Sequence, residues 1–186
     1  VTSLMIEMVA SSFGHWRRLY GVSPYVGINV GTSDFARGDL ADRLTRSFDR
    51  HGVGLDALVL EVTETVFLEG VQHEIDRSLR DLRDRGVRVA LDDFGTGYAS
   101  LSHLKQLPID IVKIDKSFVD NIATETSSYA IVEAMARLAH RLDMKVIAEG
   151  VETDDQVKIL LDLGCDAFQG YLFGRPMGQE AFDPNF

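Results

Sequence analysis

Asn29, Glu61, Asp92, Asp93, Lys113, Asp115, Glu149 and Gln169 share one property: each stands at or near the end of a short apolar run. The runs are YVGIN, LVLEVT, RVALDD, IVKID, KVIAE and AFQ. Asn29, Glu61, Asp92 and Asp93 are oxygen donors, no thiol is among them, and no histidine ends a run. Such a set suits a hard cation, Mg²⁺ or Mn²⁺, better than zinc or copper. Carboxylates crowded at one rim repel one another unless cations or protons intervene. Two neighbouring metal ions would make a bridging water hydroxide-like and clamp both oxygens of a phosphoryl transfer. Lys113 supplies the one fixed positive charge, to orient water or stabilise the transition state. Glu149 is a candidate metal ligand or general base.

The segment DDFGTGYASL follows from the same residues. Gly95 and Gly97 open backbone conformations closed to other residues, so the loop can place Asp93 sharply. Thr96 and Ser100 offer hydroxyls to tie it down, with Glu64 a partner. A second chemistry is open to Lys113: with Asp115 two residues away, it could act as a Schiff-base nucleophile in a lyase or aldolase.

These residues need a scaffold. Leu4, Met8, Trp16 and Leu19 lie near helical spacing, as do Leu40, Leu44 and Phe48. Val71, Ile75, Leu79 and Leu82 mark another helix, which Gly86 ends. A short helix over 100–107 stops before Pro108. Ile131, Met135, Leu138 and Leu142 mark a long one. Thr153 with Gln156 reads as a capping box, and Gly164 closes that helix. Six apolar strands therefore alternate with helices, which predicts parallel strands covered on both faces. An open doubly wound sheet and a (β/α)8 TIM barrel both fit. Six polar strand ends favour the barrel, whose C-terminal rim gathers its chemistry. A full barrel has eight strands in ~250 residues. The expectation is an incomplete, TIM-barrel-like α/β fold with its N-terminal strands missing.

Composition narrows the class. With 186 residues, 45% hydrophobic and 26% charged, the chain is an ordinary globular one. The net charge of −10 argues against a nucleic-acid polymer or an anionic membrane as partner. No apolar run approaches the ~20 residues that span a bilayer, and no signal pattern opens the chain. The expected location is cytoplasmic, alone or as the cytoplasmic part of a larger, membrane-anchored protein. The single Cys165 reads as a small buried apolar residue. The histidines read as surface residues and Trp16 as core.

LEVTE, DDFGTGYASL, IDIVKIDKSFV, VIAEGVET and CDAFQGYLFGRPM, in this order, resemble the EAL-domain family of cyclic di-GMP phosphodiesterases, and GINVGT resembles that family's asparagine-bearing strand. The resemblance covers the chain from about Leu4 to Met177. It implies a variant (β/α)8 barrel with one antiparallel strand, and Mg²⁺- or Mn²⁺-dependent hydrolysis of cyclic di-GMP to linear pGpG, with two ions. By motif, Asn29, Glu61, Asp92, Asp93 and Glu149 fall on metal positions, and Lys113 falls on the water-orienting lysine. Lys113, Glu149 and Asp93 are the catalytic set. Glu64 matches the glutamate that anchors the loop, and Glu152 matches a supporting glutamate. Asp115 and Gln169 match active-site polar positions; the tail with Tyr171, Phe173 and Pro176 could simply close the barrel, and the resemblance implies that it also lines the nucleotide pocket. The resemblance also implies a homodimer and fusion to a sensory or GGDEF-type domain. The Glu-Ala-Leu tripeptide that names the family is absent, so residues 1–186 are expected to be an N-terminally truncated EAL-type domain. A domain lacking that glutamate could instead serve as a cyclic di-GMP receptor or protein-interaction adaptor.

Overall fold

The computed structural model describes residues 2–21, 24–67, 72–97, 101–178 and 181–182. Six strands alternate with helices along the chain. The chain divides into two compact units. The first holds Val1–Val62, Val66–Val89 and Met177–Phe186, and the second holds Thr63–Thr65 and Ala90–Pro176.

The first unit contains α1 (Thr2–Tyr20), β1 (Val26–Asn29), α2 (Thr32–Phe35), α3 (Leu40–Arg50), β2 (Leu58–Thr63, to Val62) and α4 (Gln72–Asp84). β1 and β2 pair in parallel, with Val26 opposite Leu58 and Asn29 opposite Glu61. The expected stripes of α3 (Leu40, Leu44, Phe48) and α4 (Ile75, Leu79, Leu82) are buried. Val71 lies outside the described residues. Gly86, at φ +95°, ends α4 in a conformation that suits glycine.

α1 forms as expected, but it packs by a different stripe from the one that marked it. Leu4, Met8 and Leu19 are 68%, 62% and 59% exposed, while Ile6, Ala10, Phe13 and Gly14 are buried. The helix carries two apolar stripes, and periodicity cannot tell which one meets a neighbour. α3 makes the choice. The Phe13 and Phe48 rings lie 6.0 Å apart. Gly14 approaches so closely that a Cβ there would come within 2.9 Å of the His51 carbonyl oxygen. Trp16 is half-buried between Phe13 and Phe182, whose ring centroid is 4.8 Å away.

The second unit takes up β3 (Arg88–Phe94) from Ala90. It continues with α5 (Leu101–Gln106), β4 (Ile111–Ile114), α6 (Lys116–Val119), α7 (Thr126–Arg141), β5 (Lys145–Ala148), α8 (Asp154–Asp162) and β6 (Ala167–Phe168). β3 pairs with β4, β4 with β5 and β5 with β6, all in parallel. All four residues of β4 are buried, as a strand covered on both faces requires. The antiparallel strand that the resemblance implies is not among the described pairings of either unit.

On α7 the buried positions are Val132, Ala136 and Ala139, one step from the expected stripe, and Ile131 is exposed. Small alanines let the helix sit close to the sheet, and the larger side chains flank the contact. The α8 capping box forms as expected. Thr153 Oγ1 accepts from the Gln156 N–H at 3.2 Å, and Gln156 Oε1 accepts from the Thr153 N–H at 3.0 Å. The expected strand DAFQ shortens to Ala167–Phe168, although the N–H groups of Asp166 and Gln169 still donate to the Val146 and Ala148 carbonyls at 2.8 and 2.9 Å. The Asp166 carboxylate accepts from Val146 N–H (2.9 Å) and Lys145 (2.7 Å) and pairs with His140 (3.0 Å). Cys165 is buried, and burial, with the Asp166 charge beside it, pushes its thiol up to about 11.

Candidate active site

Successive residues of a strand point to opposite faces, so Asp92 and Asp93 cannot both serve one site from a regular strand. The structure breaks the pleat at this pair. Leu91 is opposite Val112, but Phe94 is opposite Ile114, so three steps on β3 match two on β4. Asp93 sits at φ +54°, a left-handed conformation that aspartate tolerates better than most residues. Such a bulge re-aims side chains. Ligand oxygens of Asp92, Asp93 and Glu149 consequently lie within 4.8 Å of one another.

Lys113 comes from the centre of β4 and is 3% exposed. Its Nζ donates to Asp92 Oδ1 at 2.9 Å and meets Glu149 Oε1 at 2.6 Å. An ammonium buried this far needs such partners, since leaving a buried charge unpaired is costly. Burial, followed by the charges of Asp92 and Asp115, raises Asp93 above the usual carboxylate range, although its side chain reaches solvent.

Glu64 touches the loop that the motif assigned to it. It is 5% exposed, and its Oε1 accepts the Gly95 N–H at 3.1 Å. A Cβ on Gly97 would collide with the same carboxylate, so the second glycine of the loop is required by close approach. The hydroxyl of Thr96 donates to the Asp93 carbonyl at 2.9 Å, which corrects the expected bond to Glu64. Ser100 lies outside the described residues.

Three other expected positions have structural occupations. Asp115 caps α6, accepting from the backbone N–H and the hydroxyl of Ser117. Glu152 pairs with Lys116 at 2.6 Å, and that hydrogen bond holds its carboxyl below the usual range. Gln169 is exposed, while its backbone joins Ala148 and Val151. Tyr171, Phe173 and Pro176 are exposed, with the Arg175 guanidinium 4.7 Å above the Tyr171 ring.

In the first unit, Asn29 and Glu61 are register partners at neighbouring strand ends. Gly27 is a residue that sequence reasoning passed over. A Cβ there would collide with the Glu61 carboxylate, so the bare backbone of Gly27 makes the space that Glu61 fills. The available signal was a glycine inside a strand, which often marks a close approach.

Parallel strands alternating with helices, and a carboxylate cluster of Asp92, Asp93 and Glu149 beside the buried Lys113, define an α/β protein with an acidic site. The chain matches the EAL domain family over residues 1–176 and belongs to it. It is 39% identical over 155 residues to the bifunctional diguanylate cyclase/cyclic di-GMP phosphodiesterase MucR of Pseudomonas aeruginosa, covering 83% of this chain and 22% of that protein. The structure of the MucR phosphodiesterase in complex with c-di-GMP superposes with a TM-score of 0.87 at 35% identity, covering 96% of this chain and 72% of that one. Klebsiella pneumoniae BlrP1, in a manganese/cyclic-di-GMP complex, superposes with a TM-score of 0.81 at 32% identity, covering 92% of this chain and 44% of that one. The fold is thus the TIM-barrel-like α/β class of EAL domains, with six of its strands. The chain spans between 20% and 28% of the length of the curated relatives it matches. Among the described residues no helix is long and apolar enough to cross a membrane.

Proposed function

We propose that residues 1–186 belong to an EAL-type domain that hydrolyses cyclic di-GMP to linear pGpG with the help of Mg²⁺ or Mn²⁺. The observation that carries this reading is the buried Lys113 paired with Asp92 and the half-buried Glu149, with Asp93 beside them, in a chain of this family. The donors fit a hard divalent ion, being clustered carboxylates with no sulfur among them. Asp92, Asp93 and Glu149 would hold it, with Asn29 and Glu61 as the family's further ligand positions. Bound there, such ions offset phosphate charge and lower the pKa of water.

The chain's own groups do the rest. Lys113 holds Asp92 and Glu149 in place and directs a fixed positive charge at the site. Glu64 fixes the 95–97 backbone and with it the direction of Asp93. Glu149 is placed to accept a proton from attacking water. A neighbouring sensory or GGDEF-type domain, homodimerisation and a cytoplasmic location complete the proposal.

The test is a timed incubation of the chain with cyclic di-GMP and Mn²⁺, resolved by anion-exchange chromatography. The expected result is pGpG formation that EDTA abolishes, with Asp92→Asn and Lys113→Ala each slower by about 100-fold or more. Unchanged turnover in those variants would overturn the residue roles. Nucleotide binding without product would make the chain a receptor.

A further inference from the structure

A pocket in the first unit carries charge opposite to that of the chain. Arg37, Arg43, Arg46 and Arg50 surround a cavity of about 340 Å³ between α1 and α3, with only Glu7 and Asp39 as acidic lining. The chain as a whole carries −10. Arg43, Arg46 and Arg50 recur at i, i+3 and i+7, so one face of α3 presents three guanidinium groups.

The two carboxylates are already occupied. Glu7 accepts a short hydrogen bond from Ser47, pairs with His51 at 2.9 Å and receives Arg50 at 2.7 Å. These bonds hold its carboxyl below the usual range. Asp39 receives Arg43 at 3.4 Å and Arg37 at a loose 3.7 Å. Among the described residues Arg46 has no carboxylate partner. One guanidinium is therefore free and another is weakly held, both at a concave opening. The Arg43 side chain, 12% exposed, forms a fixed wall. Planar guanidinium forks match phosphate oxygens two at a time. The volume lies at the lower end of the range for small-molecule sites, too small for a folded partner.

We propose that this pocket is a binding site for a small soluble phosphate-bearing anion, such as a diphosphate or a phosphate ester. None of its residues belongs to the acidic cluster, so the site is independent of the proposed phosphodiesterase chemistry. Arg46 and Arg37 are the groups that close on the ligand, and Arg43 and Arg50 supply standing positive potential.

The probe is pyrophosphate, titrated calorimetrically into the full chain in metal-free, low-salt buffer, with inorganic phosphate and citrate as comparisons. The expected result is saturable 1:1 binding, tighter for pyrophosphate than for phosphate or citrate. The double variant Arg37→Ala/Arg46→Ala should weaken it by about tenfold or more. Arg137→Ala, on the exposed side of α7, should leave it unchanged. Thermal melting of both variants checks that the fold persists. In NMR, the amides of Arg46 and Ser47 should shift on titration. Absence of saturable binding overturns the proposal, as does binding that survives the double variant or falls equally in Arg137→Ala. Citrate binding more tightly than pyrophosphate would overturn the ligand class.

Discussion

Asp93 shows how one residue's backbone serves its side chain. At φ +54° a β-branched residue is strained by roughly 1–2 kcal/mol, whereas asparagine adopts the conformation readily. Asp93→Asn should therefore keep the thermal stability of the wild type, and Asp93→Val should lower it by about that amount, as read by urea denaturation. Gly27 makes the matching argument in the first unit, where its missing Cβ is the space for the Glu61 carboxylate. Gly27→Ala should displace Glu61 and weaken Mn²⁺ binding, with little loss of helix content by circular dichroism. The expectation rests on geometry: the obstructing atom is added beside a ligand-type group, not in the apolar core. The donor residues were legible in the sequence because each stands at the end of an apolar run. Their orientation was not, because a period-two pattern assigns Asp92 and Asp93 to opposite faces. The register slip against β4 is what reverses that assignment.

The Asp166 clasp operates between elements, joining β5, α7 and the start of β6. Burial alone would raise this carboxyl. Lys145, His140 and the Val146 N–H outweigh it and bring it to about 2, from a usual 3.8. The shift of nearly two units corresponds to about 2.5 kcal/mol at most, and the side chain is 25% exposed, so screening reduces it to about 1 kcal/mol. A depressed carboxylate stabilises the fold fully above about pH 4 and loses that contribution as pH falls toward 2. Asp166→Asn should thus melt lower than wild type at pH 7, and the two curves should converge near pH 2. The residues of β2 were read correctly from their apolar run, and the ends of α8 from capping chemistry, which is local. The Asp166 clasp itself is not legible locally, because its partners lie 20 to 26 residues away.

Taken over the whole chain, the choice of packed face matters more than the tally of apolar residues. Ile6, wholly inside, should cost about 2–4 kcal/mol when changed to Ala, whereas Leu4→Ser on the exposed stripe should stay within about 0.5 kcal/mol. Chemical denaturation of the two variants checks this directly. The opposite ranking would mean that α1 packs by its other stripe.

Alternation of strands and helices, the α/β class, the identity of the acidic and lysine residues, the Glu64 anchor and the caps all follow from local pattern and motif. Each depends on chemistry within a few residues or on an order of motifs along the chain. Which stripe of α1 and α7 is buried, how Asp92 and Asp93 come to share a cluster with Glu149, and why Gly27 must lack a side chain do not follow. Those features arise from contacts between segments far apart in sequence: Phe13 with Phe48, β3 with β4, and Gly27 with Glu61. A helix or strand presents faces that periodicity can count, but steric fit to a neighbouring element selects among them.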